Sequence, residues 1–296
     1  MKELVVISGK GGTGKTSIVA SFAALSKNTV LADCDVDAAD LHLILEPSET
    51  GKRPFAGGKR ASVIPDNCTA CGRCEEVCRF GAVHLNGSDN TYGDRTYTID
   101  PYSCEGCGIC KFVCPSAAID FDENQSGEWF VSKTRFGPMV HARLFPGEEN
   151  SGKLVTLVRN QARLIAERDE IDMILVDGSP GIGCPVIASI TGADLVLVIT
   201  EPTLSGKHDL ERVCELTRHF NIATVVCINK HDINEALTEK IAEDASRVGS
   251  KVIGKVRYDP AVTKAQLMKS SVVEYTGGSV GQDIRRLWDR VSYELG

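Results

Sequence analysis

Apolar positions follow two patterns along the chain. Short, unbroken, β-branched runs recur at Leu4-Val5-Val6-Ile7, Thr29-Val30-Leu31-Ala32, Ile174-Leu175-Val176, Leu195-Val196-Leu197-Val198-Ile199, Thr224-Val225-Val226-Cys227-Ile228 and Val252-Ile253. Such runs have the length and composition of strands buried on both faces. Between them, residues 17–25, 154–168, 209–219 and 244–248 read as helices, and Ile284-Leu287-Trp288-Val291 forms a helical stripe that reads as core packing rather than a membrane-targeting face. Alternation of this kind predicts an α/β fold with a doubly wound, mostly parallel sheet.

The alternation stops in the middle of the chain. Residues 46–62 are rich in Pro, Gly, Ser and Lys and read as an exposed linker. Trp129-Phe130-Val131 and Met139-Val140-His141-Ala142 predict a hairpin around Phe136-Gly137-Pro138, with His141 a half-buried strand residue, and Asn150-Ser151-Gly152-Lys153 reads as a turn. The expected organisation is therefore a discontinuous domain of residues 1–55 and 129–296, interrupted by an α+β insertion over 56–128.

A net charge of −7 argues against a general nucleic-acid or anionic-membrane binder. No apolar run approaches a membrane span, and Met1 is followed almost at once by the first strand, so a cytoplasmic protein without an integral membrane segment is expected. Twelve cysteines in that compartment point to metal ligation rather than disulfides.

Gly9-Lys10-Gly11-Gly12-Thr13-Gly14-Lys15-Thr16 fits G-x-x-x-x-G-K-[ST] and lies between a predicted strand and a predicted helix. The backbone N–H groups of Gly11 to Ser17 would cradle a polyphosphate, Lys15 would reach its outer phosphates, and the Thr16 hydroxyl would sit on Mg²⁺. A glycine-rich turn with no ligand is the alternative. The second strand runs into Asp33-Cys34-Asp35-Val36-Asp37. These carboxylates read either as a solvated helix-capping turn or, beside a P-loop, as Mg²⁺- or water-positioning groups with Asp35 foremost. Ile174-Leu175-Val176-Asp177 has the Walker-B form, placing Asp177 near Mg²⁺, and Gly178-Ser179-Pro180-Gly181 reads as a mobile turn. Asn229-Lys230-x-Asp232 imitates a guanine-reading signature too short to settle the base, and Tyr258-Asp259-Pro260 would close over it, so Asp259 and Pro260 join the candidate nucleotide contacts.

Cys68-x₂-Cys71-x₂-Cys74-x₃-Cys78 recurs 36 residues later as Cys104-x₂-Cys107-x₂-Cys110-x₃-Cys114, an internal repeat. Three thiolates spaced by two residues suit one 4Fe–4S cube, with the fourth cysteine ligating the other cluster. The predicted sets are Cys68, Cys71, Cys74 and Cys114 for one cluster, and Cys104, Cys107, Cys110 and Cys78 for the second. Zinc is the alternative, although zinc sites usually pair two C-x₂₋₄-C elements across a longer gap. Cys184 reads as a small buried hydrophobe, as do Cys34, Cys214 and Cys227.

Two resemblances bring these motifs together. The lysine after the first P-loop glycine, with the acidic D-x-D stretch, resembles the MinD/ParA/Mrp class of deviant-Walker ATPases, which includes the nitrogenase iron protein. The cysteine repeat resembles a bacterial two-cluster ferredoxin, with Arg79 where that family often has proline. The first resemblance implies ATP sandwiched in a homodimer, Lys10 acting on the partner subunit's nucleotide, Asp35 positioning the attacking water and Asn229 reading the adenine edge. It also implies that Cys184 stands where the nitrogenase iron protein holds a cluster-bridging cysteine. Together they imply a Mg²⁺-dependent ATPase with two 4Fe–4S clusters, slow and partner-stimulated, that drives electron transfer with a redox or metallocluster protein. The alternatives are ATP-controlled docking with structural or redox-sensing clusters, and a cluster assembly or carrier role, against which eight full cysteine ligands argue.

Overall fold

The computed structural model describes residues 1–90, 93, 95–148 and 152–296. Its first elements are β1 (Lys2–Ser8), α1 (Lys15–Leu25), β2 (Thr29–Asp33), α2 (Leu41–Leu45) and β3 (Ser48–Val63). Then come α3 (Arg73–Val77), β4 (Val83–His84), β5 (Thr98–Ile99), α4 (Ile109–Val113), β6 (Ile119–Thr134) and β7 (Gly137–Leu144). The remainder is α5 (Lys153–Arg168), β8 (Met173–Pro180), α6 (Cys184–Ile190), β9 (Leu195–Thr200), α7 (Leu204–His219), β10 (Thr224–Asn229), α8 (Glu235–Arg247), β11 (Lys251–Val256), α9 (Ala261–Leu267), α10 (Val272–Tyr275) and α11 (Ser279–Leu295). Two compact units divide the chain, Met1–Arg53 with Trp129–Arg143 and Asn150–Gly296, and Pro54–Glu128 with Leu144–Glu149.

The sheet order is β11-β10-β9-β1-β8-β2-β7-β6-β3, and the first unit is built on its strands β11 to β7. From β11 to β7 every neighbouring pair is parallel. β1 is the middle of those seven strands, and its Leu4, Val5, Val6 and Ile7 are fully buried. A strand covered on both faces needs apolar side chains at every position, which is why these runs do not alternate. α11 lies over this core with Val280, Ile284, Leu287 and Val291 buried, and Trp288 meets Phe22 of α1 at 4.9 Å between ring centroids.

Four expectations need correction. Residues 48–63, expected as linker, form the sixteen-residue strand β3 at the end of the sheet order. Its polar composition suits an edge strand, where Pro54 forfeits no essential ladder bond and side chains meet water. The turn expected at 178–181 begins later, because Gly178, Ser179 and Pro180 continue β8 and Ser179 donates its hydroxyl to the Cys34 carbonyl at 2.7 Å. Cys184 is exposed at the start of α6 rather than buried. His141 is buried rather than half-buried, stacked on Phe130 at 4.9 Å, and its imidazole is pushed down to about 4 by burial and by the neighbouring His42 and Arg143 charges. Asn150 and Ser151 of the expected turn lie outside the described residues, while Gly152 caps α5.

Arg135, at the tip between β6 and β7, is held by Glu274 through two hydrogen bonds of 3.0 Å, and it donates to the Leu45 carbonyl at 3.1 Å. Burial works to raise the Glu274 carboxyl, but Arg135 and the Ser271 capping box outweigh it and hold it at about 2. A carboxylate depressed in the folded state stabilises above its unfolded value and loses that contribution as pH falls through the folded one. The Tm gap between wild type and Glu274→Gln should therefore be widest near neutral pH and close between about pH 4.5 and about 2.

In the second unit the backbone repeats with the sequence. α3 and α4 begin 36 residues apart, at Arg73 and Ile109. The left-handed positions pair the same way: Ala70 (φ 52°) with Gly106 (φ 62°), Gly72 (φ 79°) with Gly108 (φ 74°), and Gly81 (φ 63°) with Ala117 (φ 52°). So do two hydrogen bonds, Ile64 N–H to the Ala118 carbonyl at 2.8 Å and Asp100 N–H to the Ala82 carbonyl at 2.7 Å. Its small core mixes Ala61, Val83, Tyr97, Ala118 and Ile119 with Cys68 and Cys74.

Candidate nucleotide site and paired cysteine cavities

Every strand from β11 to β7 runs the same way, so the β1–α1 loop and the ends of β2 and β8 open on one edge of the sheet, the usual ligand crevice of such folds. Gly14 makes the loop possible: its φ is 86°, and a Cβ there would come within 2.5 Å of the Asn229 side chain. The loop borders a cavity of about 230 Å³ lined by Gly11 to Ser17, Asp35 and Pro180, and also by Ser8, Ala38, Asp40 and Gln266.

Lys15 is buried, bonded to a carboxylate oxygen of Asp177 and 3.2 Å from one of Asp35. Burial opposes its charge, but Asp177, Asp35 and Asp33 more than compensate and raise its pKa. Asp35 is pushed up to about 6, chiefly by burial and then by Asp177, with Lys15 pulling the other way. Asp33, wholly buried beside Asp177, is raised well above the usual carboxylate range. Oδ1 of Asp35 and Oδ2 of Asp177 are buried without a protein partner. Oxygen atoms left over in this way are what a hard cation takes up, so Asp35 and Asp177, together with Thr16, fit Mg²⁺.

Lys10 reaches Glu201 at 2.8 Å, Ser205 at 3.0 Å and Thr203 at 3.3 Å. Glu201 also receives Lys230 at 2.8 Å. Burial acts to raise the Glu201 carboxyl, and the two ammonium groups more than offset it. Asn229, expected to read the adenine edge, is not among the residues lining this cavity. Its amide donates to the Thr13 carbonyl at 2.7 Å and accepts from Lys230 N–H at 3.0 Å, so it braces the P-loop. Asp259 and Pro260 do not line the cavity either: Asp259 accepts from Ala261 N–H at 2.8 Å, and Pro260 caps α9. α9 instead sends Gln266 there, donating to Ser17 at 2.9 Å. Nothing local in the sequence marks Gln266 or Asp40, because only the fold brings them to the loop.

In the second unit, Cys68, Cys71, Cys74 and Cys114 line one cavity. Cys78, Cys104, Cys107 and Cys110 line another. Each cavity thus takes three cysteines from one run and the last from the other. Ala118 N–H donates to the Cys114 sulfur at 3.3 Å. Among the described residues no three metal-ligating side chains converge on one point. Cys34, Cys214 and Cys227 are buried, and burial raises all three thiols.

Among the described residues no helix is long and apolar enough to cross a membrane. The chain is 36% identical over 235 residues to the uncharacterized protein MJ0578 of Methanocaldococcus jannaschii, covering 78% of this chain and 79% of the relative. The uncharacterized protein MJ0579 of the same organism is 26% identical over 244 residues, covering 79% and 83%. The fold is similar to a chain of the MinC:MinD cell division protein complex of Aquifex aeolicus, with TM-score 0.58, 16% identity and coverage of 99% and 96%. It is also similar to the septum site-determining protein MinD complexed with Mg-ADP from Pyrococcus horikoshii, with TM-score 0.56, 15% identity and coverage of 100% and 97%. The CobQ/CobB/MinD/ParA nucleotide binding domain matches residues 4–272. With the P-loop, Lys15, Asp35 and Asp177 assembled on one crevice, the chain belongs to that family and is a P-loop ATPase.

Proposed function

We propose that this ATPase is a nucleotide-driven homodimeric switch that carries two 4Fe–4S clusters and couples ATP to electron transfer with a partner redox or metallocluster protein. The observation that carries the reading is the sorting of eight cysteines into two four-cysteine cavities in a chain that also has a complete P-loop site. In this reading residues 1–55 and 129–296 are the ATPase domain and 56–128 a ferredoxin-type insertion. Cys68, Cys71, Cys74 and Cys114 hold one cluster, and Cys104, Cys107, Cys110 and Cys78 the other. The clusters supply low-potential one-electron chemistry when bound. Thr16, Asp35 and Asp177 hold Mg²⁺, which balances phosphate charge.

The chain's own residues do the rest. Amides of Gly11 to Ser17 and the Lys15 ammonium bind the phosphates, and Asp35 orients water. Lys10 serves the partner subunit, so it must leave Glu201, Thr203 and Ser205 to do so. Lys10→Ala is expected to bind ATP within a few-fold of wild type yet lose ATP-dependent dimerisation in sedimentation velocity. Hydrolysis should fall by roughly 100-fold or more, since a cation on the transferring phosphoryl group contributes on that scale. Wild-type turnover would exclude a trans role.

Cysteines in the second unit's core favour a second reading, in which the clusters staple the fold and ATP controls docking alone. Iron and sulfide analysis of anaerobically purified protein, with EPR of the reduced form, tests the clusters themselves. Two fast-relaxing signals integrating to two spins support both readings. An iron-free or zinc-loaded protein rejects both.

A further inference from the structure

The internal repeat allows each end of the second unit to be judged against its counterpart. The two halves agree in helix position, left-handed backbone and cysteine spacing, yet their outer surfaces differ. Beside the cavity of Cys78, Cys104, Cys107 and Cys110 lie Phe80, which is 48% exposed, and Ile109, which is 49% exposed, both lining it. Phe112, one turn on from Ile109 along α4, is 91% exposed. The residues 36 positions away are Ser116, Arg73 and Glu76. These three exposed apolar residues therefore have polar or charged counterparts, although the frame beneath them is the same.

Charge divides in the same sense. Arg79 and Lys111 flank Phe80 and Phe112 and are exposed, with Glu105 at the cavity, whereas Lys111 is matched in the other half by Glu75. The same frame thus carries an apolar surface at one of its two ends and a polar one at the other. Grouped exposed aromatics with a charged rim mark an interaction surface.

We propose that the Phe80–Ile109–Phe112 face beside the second cavity docks an electron-carrier protein whose own docking face is acidic. The inference rests on the electron-transfer reading for its purpose, but the surface is defined without it. An apolar centre excludes water between two redox centres, and Arg79 and Lys111 attract and orient the acidic rim of the carrier. The opposite cavity, with its charged surface, faces no such carrier.

Isothermal calorimetry of the anaerobically purified full-length protein against flavodoxin, an acidic one-electron carrier, tests this. Phe112→Glu and Ile109→Arg give this end the side-chain character of its counterpart, and Glu76→Gln is the control at the other end. Circular dichroism checks that each variant is folded. Each of the first two is expected to weaken binding at least tenfold, Glu76→Gln by less than twofold, and added salt should weaken the wild-type complex. Equal affinity in folded Phe112→Glu, or no binding by wild type, overturns the proposal. Concentration-dependent self-association lost in Phe112→Glu would assign the face to a second copy of the chain and overturn it as well. Iron and EPR content of the same samples reports separately on the electron-transfer reading, so either idea can fail alone.

Discussion

Lys15→Ala is expected to abolish measurable ATP binding and also to destabilise the protein. The first effect follows from loss of the one ammonium the P-loop sets beside the phosphates. Charge-assisted hydrogen bonds contribute about 1.5–3 kcal/mol each, so affinity should fall by roughly 100-fold or more. The second effect follows from the structure: Lys15 balances Asp177 and Asp35, whose side chains are 1% and 10% exposed. Removing one member of a buried ionic group costs about 3–5 kcal/mol, because the remaining charge stays uncompensated. For a chain of this size that lowers Tm on the order of 10 °C. The two effects separate in Lys15→Ala/Asp177→Asn, which should recover much of the Tm and none of the ATP binding. Wild-type affinity in Lys15→Ala would contradict the phosphate assignment.

The cysteine variants carry the next largest effect. Cys114 lies in the second run but lines the cavity of Cys68, Cys71 and Cys74. On the proposed two-cluster reading, Cys114→Ala should halve the iron and leave the same EPR signal as Cys71→Ala. Cys78→Ala should instead match Cys107→Ala, because those two share the other cavity. If each run held its own cluster, the pairing would be reversed, with Cys114→Ala matching Cys107→Ala. Spectra sorted that way would reject the crossed arrangement, and unchanged iron in all four variants would reject the clusters.

What could be read from the chain depended on how local the signal was. The P-loop announces itself because its strand, glycines, lysine and helix are contiguous, and the buried strands do so because burial on both faces forces uninterrupted apolar runs. The cysteine repeat is legible because both its spacing and its 36-residue offset survive in one dimension. β3 was not, since an edge strand exposed along most of its length has the composition of a linker. Gln266 and Asp40 reach the nucleotide cavity only through tertiary placement of α9 and of the loop after β2. The motif of Asn229 points to a base, and only the fold shows its amide engaged by the Thr13 carbonyl and the Lys230 N–H. Cys184 shows the limit of composition, because cysteine is commonly buried and this one is exposed.

Coupling between nucleotide and the two proposed clusters is tested most directly by an anaerobic EPR redox titration of both, without nucleotide and with MgATP, in an Asp35→Ala background expected to hydrolyse slowly. A coupled switch should move at least one midpoint by about 30 mV or more. For one electron that is on the order of 0.7 kcal/mol, well within ordinary allosteric coupling. Superimposable titration curves at saturating MgATP would contradict that coupling and leave the clusters as staples or redox sensors of an ATP-controlled docking protein.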